Sequence, residues 1–112
     1  SGMTGSGYLL SRKDSHRSVP HRNLDMLQIM NADHYGIKPF YVPVQEDTAI
    51  EGPLVLHKGR EFIAVLKGSM KVVIGGDAVT IGEGDTLLIT DAFISRIQKT
   101  GGDACRFIYL LL

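Results

Sequence analysis

EFIAVLKGSMKVVIGGDAVTIGEGDTLLIT, residues 61–90, sets short apolar runs between glycine-bearing turns. Met70–Ile74 and Ala78–Ile81 flank Gly75, Gly76 and Asp77. Glycine adopts positive φ without steric cost, which a tight hairpin needs. Gly82-Glu83-Gly84-Asp85 then turns the chain into Thr86-Leu87-Leu88-Ile89. No helix follows these glycines to present its N-terminus to an anion, so they do not read as a phosphate loop.

The same punctuation extends in both directions. Strand-length runs rich in β-branched and aromatic residues are predicted at Tyr8–Ser11, Leu24–Met30, Lys38–Gln45, Leu54–His57, Glu61–Leu66, Met70–Ile74, Ala78–Ile81, Thr86–Thr90, Ile94–Gln98 and Cys105–Leu111. Leu24–Met30 fits a helical period as well, with strand the better fit. Evenly spaced short strands predict an all-β closed barrel or sandwich. The basic stretch holding Arg12, Lys13, Arg17 and Arg22, with His16 and His21, reads as a solvated loop.

A chain of 112 residues holds one domain. Twelve basic residues balance twelve acidic ones, which gives no field to draw the molecule onto nucleic acid or an anionic membrane. No apolar run approaches the ~20 residues of a membrane span, and no signal-peptide pattern opens the chain. One cysteine, Cys105, cannot form an internal disulfide, which points to a reducing, cytoplasmic setting. In its apolar strand it reads as a buried structural thiol rather than a nucleophile. Residues 1–7 are expected to be a tag remnant and flexible lead, residues 8–37 an N-terminal arm with one or two strands, and residues 38–112 the barrel.

Residues 54–112 resemble the cupin superfamily. That family's first motif has two histidines one residue apart, a glutamate four positions after the second, and a glycine seven further on. His57-Lys58-Gly59-Arg60-Glu61 supplies the second histidine and the glutamate, and Phe62-Ile63-Ala64-Val65-Leu66-Lys67-Gly68 closes the motif. Gly84-Asp85 opens the second motif. The resemblance implies a double-stranded β-helix, the jelly-roll or cupin barrel, preceded by a strand such as Lys38-Pro39-Phe40-Tyr41-Val42.

The resemblance also locates a departure from the family. Val55 stands where the first histidine would be, and Ser95 where a third histidine would come from the second motif. Imidazoles and one carboxylate suit Fe(II), Mn(II), Ni(II) or Zn(II). With His57 and Glu61 retained and two of the family's four ligands replaced, no cofactor is expected beyond a weak or adventitious divalent metal. Alternation places Val55 and His57 on one strand face, and Glu61, Ile63 and Val65 on one face of the next. By the resemblance that face is the barrel interior. His57, Glu61, Val55, Ser95 and Ile63 are therefore the candidate ligand-binding residues, with no catalytic residue assigned. His57 and Glu61 equally suit a hydrogen-bonded pair left over from an ancestral site. Tyr41 and Arg60 are candidates for the pocket mouth.

The family members most similar are the cupin sensor domains of helix-turn-helix (XRE-type) transcriptional regulators, matched at Tyr8–Asp14, at Glu61–Gly68 and at the ending Arg106-Phe107-Ile108-Tyr109-Leu110. The implied role is a sensor or regulatory module that binds a small-molecule ligand without direct nucleic-acid or membrane contact. The alternatives are a metal-dependent cupin enzyme of dioxygenase or isomerase type, a metal-independent isomerase or lyase using His57 and Glu61, and a structural dimerisation module. The outer face of the Glu61 strand, Phe62, Ala64 and Leu66, is apolar and is expected to serve a homodimer.

Overall fold

Alternation of inward and outward residues governs most of the long strands of the computed structural model. The model describes the chain apart from Ser1, Ser6, Arg22, Asn23, Leu56, His57 and Lys58, with backbone alone for Gly2–Gly5. The described residues form twelve strands: β1 (Gly2–Gly5), β2 (Tyr8–Ser11), β3 (Arg17–His21), β4 (Leu24–Gln28), β5 (Lys38–Val44), β6 (Ile50–Glu51), β7 (Glu61–Lys67), β8 (Ser69–Ile74), β9 (Asp77–Gly82), β10 (Thr86–Ile89), β11 (Ile94–Thr100) and β12 (Cys105–Leu111). Two single-turn 3₁₀ segments, Lys13–Ser15 and Asp33–Tyr35, are the described helical elements. Among the described residues no helix is long and apolar enough to cross a membrane.

The strands form an antiparallel six-stranded sheet in the order β10-β7-β12-β5-β4-β3 and a four-stranded sheet in the order β6-β11-β8-β9, with β1 and β2 paired apart from them. This is the double-stranded β-helix architecture that the resemblance implies, and an all-β fold as the strand spacing predicts. On β7, Glu61, Ile63 and Val65 are buried while Phe62 and Ala64 are half-buried. On β12, Cys105, Phe107, Tyr109 and Leu111 are buried and alternate with exposed or half-buried neighbours. Facing them from the smaller sheet are Ile50, Met70, Val72, Ile94 and Ile97, each at most 1 % exposed. Removing a side chain of this size from water contributes about 1.5–3 kcal/mol, so the interdigitated core holds the two sheets together.

Turns fix the register. Ile74 pairs with Asp77, which leaves Gly75 and Gly76 as a two-residue loop with Gly75 at φ +57°. Gly68 sits at φ +77° where the β7–β8 turn presses on β12, and a Cβ there would lie 2.7 Å from the Ala104 carbonyl oxygen. The turn before β10 docks on β7 through Val65 N–H to Asp85 O at 3.0 Å and Gly84 N–H to Val65 O at 2.9 Å.

Several expectations are corrected. Leu54 and Val55 lie in a bend rather than a strand, while Ile50–Glu51 forms a short strand against β11. Arg17–His21 is not a loop but an edge strand paired along its length with β4. Cross-strand partners, including Ser18 Oγ donating to Asp25 Oδ1 at 2.6 Å, supply there what local apolar pattern does not. Residues 8–37 thus carry three strands, two of them continuing the large sheet, and Gly2–Gly5 forms a strand on β2.

Candidate functional site

Four neighbouring strands, β4, β5, β12 and β7, build the polar end of the barrel interior. In β12, the alternation that buries Phe107 and Leu111 also turns Tyr109 inward, fully buried. Tyr109 pairs in register with Phe40 on β5 and with Ile63 on β7. Gln28 on β4 lies opposite Phe40, so Gln28, Phe40, Tyr109 and Ile63 make one inward row across four strands. Glu61 stands one inward position along β7, opposite Leu111 on one side and Ile89 on the other. Glu61 and Tyr109 are therefore diagonal neighbours, within reach of long side chains on an antiparallel pair.

Tyr109 uses that reach: its hydroxyl donates a hydrogen bond to Glu61 Oε2. Glu61 is 3 % exposed. A carboxylate removed from water needs partners to offset its lost hydration, and the phenol is its described side-chain donor. The tyrosine responds in turn. Burial first, then the hydrogen bond to Glu61 and its charge, push the phenol well above its ordinary ionisation range. Tyr109 therefore acts as a fixed donor and not as a base. Its ring lies against Phe40, centroids 6.1 Å apart at 37°, which limits its rotation.

The other candidate residues fall in different places. Ile63 is fully buried beside Tyr109. Val55 packs, partly buried, against the core. His57 lies outside the described residues. Ser95 is corrected: it is exposed, and its Oγ donates to the Val73 carbonyl at 3.3 Å. The pairing of β11 with β8 shifts register between Ile94 and Arg96, so Ser95 is the extra residue of a β-bulge. A bulge breaks the two-residue alternation, and Ile94 and Ile97 take the inward positions instead. Tyr41 is half-buried on the opposite face from Phe40 and Val42, and Arg60 is exposed.

These placements test whether the described residues suit the metal that the resemblance brings to mind. Val55 offers no donor atom, Ser95 faces outward, and Glu61 already accepts from Tyr109. Among the described residues, no group of three histidine, cysteine, aspartate or glutamate side chains is placed to hold a metal ion. They do not fit a transition-metal centre. What remains among the described residues is one buried carboxylate bonded by the Tyr109 hydroxyl, beside Ile63 and the Phe40–Tyr109 ring pair.

Tyr109 is the residue that the site analysis of the sequence missed. The signal was present: a tyrosine two residues from Phe107 and from Leu111 must share their inward face, and its polar tip then needs a buried partner. Lys99 was missed likewise. It continues the inward face from Ile97, is 3 % exposed along its side chain, and donates to Asp47 Oδ1 at 2.8 Å and to Gly101 O at 3.0 Å.

Comparison with known proteins adds family and fold. A cupin domain is matched over residues 41–110. No curated protein matches the chain in sequence. Hydroxypropylphosphonic acid epoxidase from S. wedmorenis, in complex with fosfomycin, is similar with a TM-score of 0.80 at 15% identity, over 100% of this chain and 63% of that one. The Cnp3 cupin domain of Schizosaccharomyces pombe gives 0.68 at 14% identity, over 83% and 63%. A cupin superfamily protein from Desulfitobacterium hafniense gives 0.66 at 10% identity, over 86% and 83%. At these identities the likeness is one of fold, and the chain spans less than two thirds of the epoxidase's length.

Proposed function

Because the chain belongs to the cupin family, with its domain over residues 41–110, we propose that it is a small-molecule-binding cupin domain that acts as a sensor or regulatory module. The observation that carries this reading is the Glu61–Tyr109 pair: a carboxylate inside the barrel, already bonded by a phenol and flanked by Ile63 and Phe40. Such an arrangement suits recognition of a ligand's hydrogen-bond donor by the second carboxylate oxygen, with apolar contacts around it. His57 is assigned to the same pocket as a titratable partner, and Val55 to its wall. In this reading ligand occupancy acts through an attached or associated effector, in a reducing, cytoplasmic setting.

A second copy of the chain is the proposed partner for the outer face of the large sheet. Leu66 and Leu88 are 47 % and 51 % exposed. Leu88, Phe62 and Leu110 lie side by side in register, and Ala64, Ile108 and Tyr41 form the next row. These rows cross four strands, β10, β7, β12 and β5, which at about 4.8 Å spacing make a face roughly 19 Å wide. Light scattering should give twice the chain mass, and Leu88→Lys should halve it.

Metal analysis and a ligand screen on the purified protein test the sensing role. Expected are substoichiometric Fe, Mn, Ni and Zn, and a rise in Tm with a sugar, amino acid or small organic acid that Glu61→Gln removes. Stoichiometric metal that is lost in His57→Ala would overturn the reading in favour of a metal-dependent enzyme.

A further inference from the structure

A polar cavity lies where the arm meets the β3 edge of the large sheet, at the Gln28 end of the inward row. It measures about 260 Å³ and is lined by Ser11, Ser15, Arg17, Gln28, Met30, Asn31 and Asp33. By liquid volume that is room for about nine waters, or one metabolite of similar bulk. We propose that this cavity binds a small zwitterionic amino acid, with the carboxylate on Arg17 and the ammonium between Ser11 and Asp33.

The donor end is held in place. Arg17 and Gln28 are directly opposed on β3 and β4. Arg17 Nη2 donates to Gln28 Oε1 at 2.6 Å, and Gln28 Nε2 donates to the Met30 carbonyl at 3.3 Å. Gln28 is 8 % exposed, so the amide that orients the guanidinium is itself fixed. A guanidinium has five N–H donors in a rigid fork suited to a carboxylate. One of Arg17's is used on Gln28. No carboxylate pairs with Arg17 among the described residues, which leaves its charge for an anion in the cavity.

The acceptor end follows from hydroxyl arithmetic. Ser15 Oγ donates its one hydrogen to the Arg12 carbonyl at 2.8 Å. The 3.3 Å contact between Ser11 and Ser15 must then run from Ser11 to Ser15. Ser11 Oγ is left with lone pairs to offer, an acceptor for an N–H. Asp33 is the acidic group of the lining, and its pairing with Lys38 is a loose 3.8 Å between exposed side chains. One cation and one anion make the lining neutral, which disfavours a dianion such as phosphate and matches a molecule carrying one charge of each sign.

The test uses the full chain labelled with ¹⁵N and titrated with L-serine, with propionate and ethanolamine as probes lacking one charge each. L-Serine should give saturable shifts at the Ser11, Ser15, Arg17 and Gln28 amides, with a roughly millimolar Kd. Propionate and ethanolamine should each bind at least about tenfold more weakly. Arg17→Gln should lose about tenfold or more, Arg17→Lys less, and Asp33→Asn should bring L-serine down to the level of propionate. Equal binding of propionate and L-serine, full affinity in Arg17→Gln with Tm unchanged, no saturation to roughly 50 mM, or shifts confined to the Ile63 and Tyr109 region would each overturn it.

Discussion

Tyr109 reaches diagonally from β12 to β7 and donates its hydroxyl hydrogen to Glu61 Oε2, with both side chains out of water. Deleting one partner of a buried bond costs more than the bond's net worth, because the other group stays desolvated. Tyr109→Phe should lose about 1.5–3 kcal/mol of stability, as expected for a hydrogen bond to a charged group. The double variant Glu61→Leu with Tyr109→Phe should lose much less stability than the sum of the two single losses, because no orphaned group is left. Urea denaturation of the four proteins checks the cycle, and strict additivity would show that the pair is not coupled.

The same contact makes stability fall in alkali. Burial, then the bond to Glu61 and its charge, raise the Tyr109 phenol above its ordinary value. In the unfolded chain that phenol ionises near pH 10. Above that pH the folded state binds more protons than the unfolded one, so unfolding becomes easier as pH rises. The contribution is complete below about pH 10 and declines above it by up to ~1.4 kcal/mol per pH unit. Denaturation at pH 9 and pH 11 should show a drop in the wild type that is much smaller in Tyr109→Phe. Equal drops in both proteins would count against the assignment.

Strand periodicity made the barrel legible in the sequence, because alternation alone assigns Glu61, Ile63 and Val65 to one face and glycine turns separate the strands. What it missed was non-local. Arg17–His21 has no apolar alternation of its own and becomes a strand through its pairing with Leu24–Gln28. Ser95 was placed inward by counting along the chain, and the bulge between Ile94 and Arg96 turned it outward. A single inserted residue reverses every later face assignment, and no residue type announces it. Tyr109 was visible as inward-facing, but its partner could be found only once β12 lay beside β7.

Lys99 is a buried ammonium whose carboxylate partner, Asp47, is 90 % exposed. Removing only the acid leaves the amine with the Gly101 carbonyl as its described partner. Solvent around Asp47 screens the pair, so Asp47→Ala should cost only about 1 kcal/mol. Lys99→Met keeps the packed stem and removes the buried charge, and should be within about 1 kcal/mol of wild type or more stable. In the Lys99→Met background, Asp47→Ala should have almost no effect. Thermal denaturation of the two singles and the double distinguishes this from independent contributions.

Cys105 is fully buried, and burial raises its thiol above the ordinary range, with the Lys99 charge pulling partly the other way. Only the thiolate is nucleophilic. Reaction with a chromogenic disulfide near neutral pH should therefore proceed at the rate of opening of the fold, and become immediate in denaturant. Rapid native labelling that scales with reagent concentration would show that the β12 terminus opens locally.

Gly68 and Gly84 provide the last contrast, since both hold positive φ, +77° and +87°. A side chain in the left-handed region costs roughly 1–2 kcal/mol for its backbone conformation alone. At Gly84 nothing lies within 4 Å of an added Cβ, so Gly84→Ala should cost about that and no more. At Gly68 the added atom would meet the Ala104 carbonyl oxygen at 2.7 Å and Cys105 Cα at 3.0 Å. Both are backbone of the chain entering β12, which is tied to β5 and β7 on either side. Relief would have to shift the strand that carries Tyr109, so Gly68→Ala should cost above about 3 kcal/mol, beyond the strain term. Equal losses for the two substitutions, measured by urea denaturation, would mean that the β7–β8 turn moves without disturbing β12.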